Sequence, residues 1–423
     1  MTVARIRPGP AYGNVRAPPS KSYTHRALAM AHLSRKRFRV LRPLDSDDTR
    51  ATATSIARLG TPVVRRPGAW TVSPSNRPRP PRPVLLPCRE SGTTLRFIAA
   101  LAAVSDRAAI LSGTGRLAER PIDALLEALG QLGARCRHLR RHGLPVEVRG
   151  PIRGGKVVLD ASQSSQFASA LLLVLPTLED GSTIRLAGNV VSEPYIEATL
   201  AVLASLGFRI VRTQGGFKIP GGQRTRASEF SVPGDASSAS YLWAAAAVSG
   251  GEVRVRGLSL RWPQADLASL DLLEVNGATV ARRSDGAVVR AGRRRPFRVD
   301  LTDAPDLYPL AGVLAATTPG TSRIVGAEHV ALKESDRKTE TARLVQGLGA
   351  KVTISREGLV IEGTGRPRAL RRVDLHDHRL VMSAAVGALA ADGVSEIGEA
   401  TAVRKSYPGF WEAYGELTGG ERP

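Results

Sequence analysis

The sequence is poor in cysteine, aromatic and acidic residues, and each shortage excludes a class of protein. Its 423 residues include only Cys88 and Cys136, which lie far apart and outside any C-x-x-C pair. Neither a disulfide framework nor a zinc knuckle is therefore indicated, and both are predicted to be plain core cysteines. Aromatic residues make up 4% of the chain, and no aromatic RNA-binding signature or zinc-finger spacing occurs.

Long apolar runs are also missing. The longest, residues 243–248 and 381–391, are too short to cross a bilayer. The N-terminal segment has no apolar core of a signal peptide. We therefore predict a cytoplasmic protein with no membrane partner. A hydrophobic content of 42% can form one or more full cores, and the length predicts about two or three domains.

Acidic residues are outnumbered by basic ones, 38 against 60, which gives a formal charge of +22. Such a surface attracts polyanions or small anionic substrates. Nucleic acid is one candidate partner, although the basic residues are spread along the chain. No Walker A loop, G-x-S-x-G elbow or H-E-x-x-H motif occurs, so nucleotide hydrolysis, serine hydrolase and zinc protease functions lack sequence support. Helix-entry motifs rich in Lys, Arg, Ser and Gly favour two small anionic substrates instead.

One pattern repeats along the chain. A glycine after a helix-like segment is followed by a short basic or β-branched strand, a turn glycine and a second strand. The first glycine of each copy recurs at separations that are, by subtraction, 73, 74, 70 and 72 residues. These glycines are Gly60, Gly133, Gly207, Gly277 and Gly349. Five copies at one period indicate a structural repeat.

Another strand and another apolar helix lie earlier in each copy, so the repeat is a βαβαββ unit of about 70 residues. A sixth copy begins near residue 373 and lacks its closing hairpin, which we expect residues 2–18 to supply. Three units per domain place one domain at residues 20–230 and the other at residues 1–19 plus 231–423. The predicted fold class is α/β (α+β). Ligands prefer clefts between domains.

Several helices begin with a cation at the end where the helix dipole disfavours one. Lys21 and Arg26 lie in or beside the first turn of an apolar helix that follows two prolines and Ser-Lys-Ser. Arg120 lies just ahead of another helix, and a Ser-Gly-Thr-Thr turn at Gly92 opens a third. A bound anion would explain these features, since glycine lets a ligand approach the backbone. The alternative for the first stretch is an ordinary Ser N-cap with solvated basic neighbours.

Hydroxyl and amide side chains precede two further helices. Ser164, Ser165 and Gln166 could donate to phosphate, whereas a helix cap would need only one of them. Ser192 and Tyr195 stand at a similar helix start. None of these entries is specific alone.

Charged residues in the second half suggest chemistry. Asp306 stands between a proline and an apolar helix, where it could cap the helix or act as a base. Lys333 and Arg337 lie four residues apart and would repel one another on one helix unless an anion compensates them. A solvated helix with a Glu334–Lys338 ion pair is the alternative.

Metal and dinucleotide sites have weaker support. The acids of residues 45–48 are typical of a helix cap and first turn. His376 and His378 have H-x-H spacing, but no third ligand is apparent and Arg379 would oppose a cation. Residues 113–118 match G-x-G-x-x-A without the acidic ribose partner that a dinucleotide site needs. No metal or cofactor is predicted.

Ten stretches, taken in order, resemble one family over nearly the whole chain. They are PPSKSYTHRALAMA, RESGTTLRF, LAERPI, QSSQFASALLL, VSEPYI, GDASSASY, APDLYPLAG, LKESDRKTE, HDHRLVMSAA and RKSYPGF. The chain resembles the 5-enolpyruvylshikimate-3-phosphate synthases, or 3-phosphoshikimate 1-carboxyvinyltransferases, of the enolpyruvyl transferase group. The resemblance implies a two-domain inside-out α/β barrel with three βαβαββ units per domain. Residues 20–230 would form the upper domain, and the N-terminus would complete the lower one.

The resemblance also implies a reaction without metal or cofactor. The enolpyruvyl group of phosphoenolpyruvate would pass to the 5-hydroxyl of shikimate 3-phosphate, in the pathway to chorismate and the aromatic amino acids. Shikimate 3-phosphate would be held by Ser22, Arg26, Ser164, Ser165, Gln166, Ser192, Tyr195, Asp306 and Lys333. Phosphoenolpyruvate would be held by Lys21, Gly92, Arg120, Gln166, Arg337, Arg379 and Lys405.

The implied catalytic residues are Asp306, Glu334 and Lys21. Asp306 would accept the hydroxyl proton, while Glu334 with Lys21 would deliver and remove the proton on the methylene carbon. An enol ether carbon becomes electrophilic on protonation, so both an acid and a base are needed. The tetrahedral intermediate stays anionic, which requires several cations. Glu334 beside Lys333 and Arg337 would ordinarily stay ionised, which complicates a simple acid role.

Three residues depart from the family and put local shikimate-side contacts in doubt. Glu90 and His329 stand where Asn is common, and Glu193 stands where Lys is common. The related transfer to a UDP-amino sugar is the nearest alternative, but that family generally carries a loop cysteine. Here Arg120 lies in LAERPI, and Cys136 falls in a hairpin strand. We expect a monomer whose domains close when the sugar phosphate binds, since cations otherwise repel across an open cleft.

Overall fold

The computed structural model describes residues 2–75 and 83–420. Its contacts divide the chain into a middle unit, Pro19–Pro233, and a terminal unit, Met1–Pro18 with Gly234–Pro423. Both divisions lie within a few residues of those expected from the repeat. Over the described ranges, the helices are too short or too polar for any of them to cross a membrane.

The described elements alternate between helices and short strands. The helices are α1 (Lys21–Leu33), α2 (Asp47–Arg58), α3 (Gly92–Ala103), α4 (Asp123–Gln131), α5 (Ser165–Val174), α6 (Glu193–Ser205), α7 (Ala236–Ser249), α8 (Ala268–Val275), α9 (Tyr308–Thr317), α10 (Arg337–Gly347), α11 (His378–Ala388) and α12 (Phe410–Thr418). The strands are β1 (Val3–Ile6), β2 (Tyr12–Arg16), β3 (Phe38–Leu41), β4 (Val63–Arg66), β5 (Ala69–Val72), β6 (Val84–Pro87), β7 (Ala109–Ser112), β8 (Arg135–His138), β9 (Val146–Arg149), β10 (Lys156–Asp160), β11 (Ser182–Ala187), β12 (Val211–Thr213), β13 (Gly216–Ile219), β14 (Glu229–Ser231), β15 (Glu252–Arg256), β16 (Thr279–Arg283), β17 (Gly286–Arg290), β18 (Arg298–Asp300), β19 (Gly320–Val325), β20 (Lys351–Ile354), β21 (Gly358–Gly363), β22 (Val373–Asp374) and β23 (Ser395–Gly398).

The repeated glycines end helices. Each of the five has a φ between 87° and 107° and directly follows the last turn of α2, α4, α6, α8 or α10. The next N–H then returns to a carbonyl near the helix end, as from Thr61 to Ile56 at 3.1 Å. This is the Schellman ending, whose left-handed residue is cheap only for glycine. An antiparallel hairpin follows each one, so the predicted repeat is confirmed.

The order of strands within a sheet is the same wherever a single βαβαββ repeat supplies all four strands. The orders β6-β7-β9-β8, β10-β11-β13-β12 and β18-β19-β21-β20 share it. The first two strands are parallel, as β6 and β7 are, because a helix connects them. The hairpin then adds antiparallel to the second strand.

Helices fill the interior of each unit. Every residue of α9 is buried, as is every residue of α7 except Ser249. In the middle unit α1, α3 and α5 contact one another, and in the terminal unit α7, α9 and α11 do the same. A helix that is apolar on all faces requires such burial. The strands lie at the surface, since residues of β10, for example, alternate between exposed and buried. The predicted inside-out arrangement is confirmed.

The prediction for residues 2–18 is half wrong. Strand β1 pairs antiparallel with β23 and completes the sheet β1-β23-β22, as expected. Strand β2, however, pairs parallel with β15, with Tyr12 opposite Glu252. Strand β2 therefore belongs to the sheet of the fourth βαβαββ repeat. That repeat lacks a first strand of its own, because β14 pairs with β3 of the first repeat. The chain passes twice between the terminal and middle units. At each passage the strand that precedes the first helix of the new unit, β2 or β14, still pairs within the unit that the chain is leaving.

Candidate active site

In the middle unit, helix α1 begins directly at Lys21. Within the described chain, the Ser20 side chain makes no capping bond. The Lys21 ammonium pairs with Asp48 at 2.9 Å, and only 14% and 6% of the two side chains are exposed. The alternative of a serine cap with solvated cations is therefore wrong. Asp48 follows Ser46, which caps α2 by accepting from the Thr49 N–H, as predicted for this acidic segment.

Arg26 is buried in α1, with 3% of the residue exposed. Its Nε donates to Thr199 Oγ1 at 2.9 Å, its Nη1 to the Ser22 carbonyl at 2.9 Å, and its Nη2 to the Tyr195 carbonyl at 2.7 Å. Burial lowers the pKa of Arg26 to about 10, so the group remains charged at neutral pH. All three acceptors are neutral, so the positive charge can still attract an anion. Ser22, Arg26 and Tyr195 are thus brought together.

Two guanidinium groups crowd the first residue of α3. A Cβ on Gly92 would lie 2.6 Å from Arg96 Nη1 and 2.7 Å from Arg120 Nη1. Both arginines are buried, and a helix N-terminus beside two cations is an anion-binding environment. Sequence reasoning did not select Arg96. Its position one helical turn after Gly92 was the available signal.

The three polar residues at the start of α5 differ in what they contact. Ser164 caps the helix by accepting from the Gln166 N–H at 3.2 Å, so capping applies to this serine. Ser165 is buried in the first turn. The Gln166 side chain donates from Nε2 to Thr93 Oγ1 at 3.2 Å, which brings it to the start of α3.

Ser192 precedes α6 in a left-handed conformation, with a φ of 56°. This conformation is uncommon for a residue with a side chain and is often found at functional sites. Its hydroxyl does not cap α6 in the described structure.

The next residue, Glu193, forms an exposed ion pair with Arg212 at 2.7 Å. Exposed Glu90 lies against Gly115, where a Cβ would be 2.5 Å from its Oε1.

In the terminal unit, Arg337 forms the centre of a buried ion cluster. Only 1% of its side chain is exposed, and it donates to three carboxylates: to Asp377 at 2.8 Å, Asp306 at 2.6 Å and Glu334 at 2.8 Å. Three anions offset the unfavourable dipole at the start of α10. Sequence reasoning missed Asp377, for which the only signal was its position at the start of α11.

Asp306 bridges two arginines. It lies in the short 3-10 helix Pro305–Leu307, and its oxygens accept from Arg337 at 2.6 Å and from Arg379 at 2.7 Å. Burial alone would raise its pKa, but Arg379, Arg337 and Lys333 outweigh burial and hold the pKa of Asp306 well below its usual range. The carboxylate is therefore ionised, and it becomes a stronger base only when part of this positive charge is neutralised.

Lys333 and Arg337 do not share a helix. Lys333 follows the 3-10 helix Glu328–Leu332 in an extended conformation. Asp336 caps α10 by accepting from the Thr339 N–H at 3.2 Å, so this helix starts only at Arg337. A local cap overrides the apparent helical spacing.

The alternative ion pair between Glu334 and Lys338 is also wrong. Glu334 pairs with Arg337, as described above, whereas Lys338 donates to the Arg356 carbonyl at 3.2 Å. Glu334 therefore shares one guanidinium with Asp306. This places two candidate catalytic carboxylates on the same cation.

Arg379 lies in the first turn of α11 and is held at both ends. Its N–H donates to Asp377 Oδ1 at 2.9 Å, which is the helix cap. Its guanidinium donates to Asp306 and to Ser237 Oγ. Asp306, Arg337, Arg379 and Asp377 thus form one network.

The histidines beside this network do not form a chelating pair. His376 is exposed, whereas His378 is buried in α11. Among residues 2–75 and 83–420, no group of three or more His, Cys, Asp or Glu side chains is placed to hold a metal ion. Cys88 and Cys136 are free thiols, the first buried and the second half-buried.

Lys405 and His329 lie in short 3-10 helices. Lys405 ends the helix Ala400–Lys405, which packs against α11 and is therefore near the helix that carries Arg379. His329 is buried, and burial together with Lys333 lowers the pKa of His329 to about 3. A neutral imidazole offers one donor and one acceptor, as an amide side chain also does. His329 can therefore make the same types of hydrogen bond as an asparagine side chain.

The fold is α/β, and in both units buried arginines lie at or beside helix N-termini, an arrangement suited to small anions. Residues 7–414 match the family model described as EPSP synthase (3-phosphoshikimate 1-carboxyvinyltransferase). The chain belongs to the EPSP synthase family.

Curated relatives carry the same name. A 3-phosphoshikimate 1-carboxyvinyltransferase of Halobacterium salinarum is 41% identical over 424 residues, covering 98% of each chain. One of Thermococcus kodakarensis is 41% identical over 401 residues, covering 95% of this chain and 96% of the relative. Among solved structures, the EPSP synthase of Acinetobacter baumannii has a TM-score of 0.80 at 22% identity, covering 99% of this chain and 98% of that one. At that identity the likeness shows the fold.

Proposed function

We propose that this chain transfers the enolpyruvyl group of phosphoenolpyruvate to the 5-hydroxyl of shikimate 3-phosphate. The products are 5-enolpyruvylshikimate 3-phosphate and phosphate, as part of the shikimate pathway. The observation that carries this proposal is the family match over residues 7–414, together with relatives of the same name at 41% identity. Buried cations in both units support it, since both substrates are anions.

Shikimate 3-phosphate is assigned mainly to the middle unit. Arg26 has the best support, because its charge is buried and its three acceptors are neutral oxygens. A phosphate dianion would gain a charge-assisted interaction there without displacing a carboxylate. The full proposed set is Ser22, Arg26, Ser164, Ser165, Gln166, Ser192 and Tyr195, with Asp306 and Lys333 of the terminal unit.

Phosphoenolpyruvate carries a carboxylate and a phosphate and is assigned more cations. The proposed set is Lys21, Gly92, Arg120 and Gln166 of the middle unit, with Arg337, Arg379 and Lys405 of the terminal unit. Gly92 contributes by having no side chain, because a Cβ would collide with Arg120. These cations would also stabilise the anionic tetrahedral intermediate.

The proposed reaction is an addition followed by an elimination. The 5-hydroxyl oxygen forms a bond to C2 of phosphoenolpyruvate, while its proton passes to Asp306 and C3 gains a proton from Glu334 acting with Lys21. C3 then loses a proton, the bond from C2 to the phosphate oxygen breaks, and phosphate leaves. The proton lost by C3 returns to Glu334 and Lys21, and the hydroxyl proton held by Asp306 passes to the departing phosphate.

The ion pairs of Asp306 couple its basicity to substrate binding. Arg337 and Arg379 hold its pKa low while they contact it. An anionic substrate that binds these arginines neutralises part of their charge, so the pKa of Asp306 rises. The base is therefore strengthened when phosphoenolpyruvate is present.

The test is phosphate release by the purified chain given both substrates without added metal. We expect release only when both are present, with a product mass equal to shikimate 3-phosphate plus the enolpyruvyl group. A control replaces shikimate 3-phosphate with a UDP-amino sugar. Release with the sugar nucleotide but not with shikimate 3-phosphate would overturn the proposal.

A cytoplasmic monomer is part of the same proposal. Light scattering after size-exclusion chromatography, at assay concentration, should give the mass of one 44.9 kDa chain. Cell fractionation should place the chain with soluble enzymes. A stable dimer or a membrane-bound pool would contradict these assignments without affecting the reaction.

A further inference from the structure

A buried chain of polar side chains links three helices of the middle unit and has no part in the chemistry above. His25 Nδ1 in α1 lies 2.7 Å from Thr52 Oγ1 in α2, and Thr52 Oγ1 lies 2.7 Å from Thr94 Oγ1 in α3. All three residues are fully buried. Buried polar groups of this kind are costly unless every link is satisfied.

The far end of the chain contacts two segments that carry proposed phosphoenolpyruvate ligands. Thr94 Oγ1 lies 2.8 Å from Ser91 Oγ, and Ser91 caps α3 immediately before Gly92. Thr94 Oγ1 also lies 3.2 Å from the carbonyl oxygen of Asp48, whose carboxylate pairs with Lys21. His25 itself lies one turn after Lys21 in α1.

The imidazole sets the direction of the hydrogen bonds. Burial lowers the pKa of His25 to about 3, so the ring is neutral. Among the described residues, His25 Nε2 has no hydrogen-bond partner. Because buried N–H groups without an acceptor are rarer than bare acceptors, the proton belongs on Nδ1. Nδ1 then donates to Thr52, Thr52 donates to Thr94, and Thr94 donates to the Asp48 carbonyl or to Ser91.

We propose that His25, Thr52 and Thr94 form a positioning chain that holds the Lys21–Asp48 pair and the Gly92 turn in the geometry required for phosphoenolpyruvate. The inference rests on the proposed function. None of the three belongs to the proposed substrate-binding sets. They act by tying the N-terminal ends of α1, α2 and α3 to one another, so that a broken link lets these ends shift.

The test uses Thr52→Val, which keeps the side-chain shape and removes the hydroxyl. Thr94 Oγ1 and His25 Nδ1 then lose their shared partner, and the buried N–H of His25 is left without an acceptor. We expect KM for phosphoenolpyruvate to rise about tenfold, while KM for shikimate 3-phosphate stays within about twofold. Thr52→Ser restores the hydroxyl and should recover the wild-type value.

The matched control is Thr54→Val, an exposed threonine on the same helix whose hydroxyl donates to the Arg50 carbonyl. It should leave both KM values unchanged. Thr94→Val is a second variant that breaks the chain if Thr52→Val does not fold. Equal KM values for Thr52→Val and Thr54→Val, or equal losses for both substrates, would overturn the proposal.

A spectroscopic readout is independent of turnover. Nitrogen-15 NMR of His25 should show a neutral ring protonated on Nδ1, and Thr52→Val should perturb that signal. A ring protonated on Nε2, or a charged ring at neutral pH, would refute the chain as described. If the wild-type protein released no phosphate, the proposed function would fail. The His25 spectrum would still decide whether the hydrogen-bonded chain of His25, Thr52 and Thr94 exists.

Discussion

The two units hold their principal cations in opposite ways. Arg26 of the middle unit donates to three neutral oxygens, whereas Arg337 of the terminal unit donates to three carboxylates. An incoming phosphate meets an uncompensated charge at Arg26 and must compete with fixed anions at Arg337. The first arrangement favours affinity for an anion. The second couples anion binding to the protonation of nearby carboxylates and so favours chemistry.

The largest expected effect tests the terminal cluster. Asp306→Ala removes the proposed base and should lower kcat about 10²–10⁴-fold. It also frees Arg337 and Arg379 from one competing carboxylate, so KM for phosphoenolpyruvate should not rise. Steady-state kinetics with each substrate varied in turn would measure both values.

Asp303→Ala, an exposed aspartate three residues earlier, is the control for Asp306→Ala and should behave as wild type. Asp306→Asn keeps the volume and should show the same loss of kcat. Unchanged turnover in either Asp306 variant would remove this residue as the base.

A smaller effect tests Arg26 of the middle unit. Arg26→Ala removes the charge that neutral groups hold in place, and KM for shikimate 3-phosphate should rise about a hundredfold with a lesser effect on kcat. Arg39→Ala, at an exposed arginine paired with Glu229, controls for net charge. If KM for phosphoenolpyruvate rose instead, the contrast between the two units would be wrong.

Gly92→Ala should have a moderate effect on one substrate. Its Cβ would lie 2.6–2.7 Å from Arg96 and Arg120, so a guanidinium must move. We expect KM for phosphoenolpyruvate to rise about tenfold and KM for shikimate 3-phosphate to change little. Gly130→Ala in α4, where a Cβ has open space, is the matched control. Equal KM values in the two variants would contradict the assignment of Gly92.

Acid stability compares one histidine from each unit. His25 and His329 have pKa values lowered to about 3 by burial, from 6.5. The unfolded chain binds these protons below pH 6.5 and the folded chain does not until about pH 3. Stability is therefore complete above pH 6.5 and is lost as pH falls towards 3. Between these two pH values, each histidine raises the equilibrium constant for unfolding about tenfold for each pH unit by which the pH falls.

Urea unfolding at pH 7 and pH 5 would measure this loss. His25→Gln and His329→Asn should each flatten the dependence on pH, whereas His142→Gln, at an exposed site, should not. Identical pH dependence in all variants would show that neither ring is kept neutral by burial.

Much of the fold could be predicted because its signals are local. A left-handed glycine after an apolar helix, followed by a short hairpin, is recorded in consecutive residues, as at Gly60 and Gly349. The helix starts that are proposed to bind anions were selected for the same reason. Local reasoning failed where a cap replaced a helix turn, as at Asp336, and where one residue had a choice of partners, as Glu334 did.

The amino-acid sequence by itself determined the βαβαββ repeat and the family, since each depends on patterns of consecutive residues that recur or follow in order along the chain. The inside-out arrangement was implied by the family resemblance. Only the tertiary structure decided which sheets β2 and β14 join, that Arg96 crowds Gly92, that Asp377 completes the Arg337 cluster, and that His25 reaches Thr94 through Thr52. These are contacts between residues distant in the chain. Their energies depend on burial and on competition among partners, which no local pattern records.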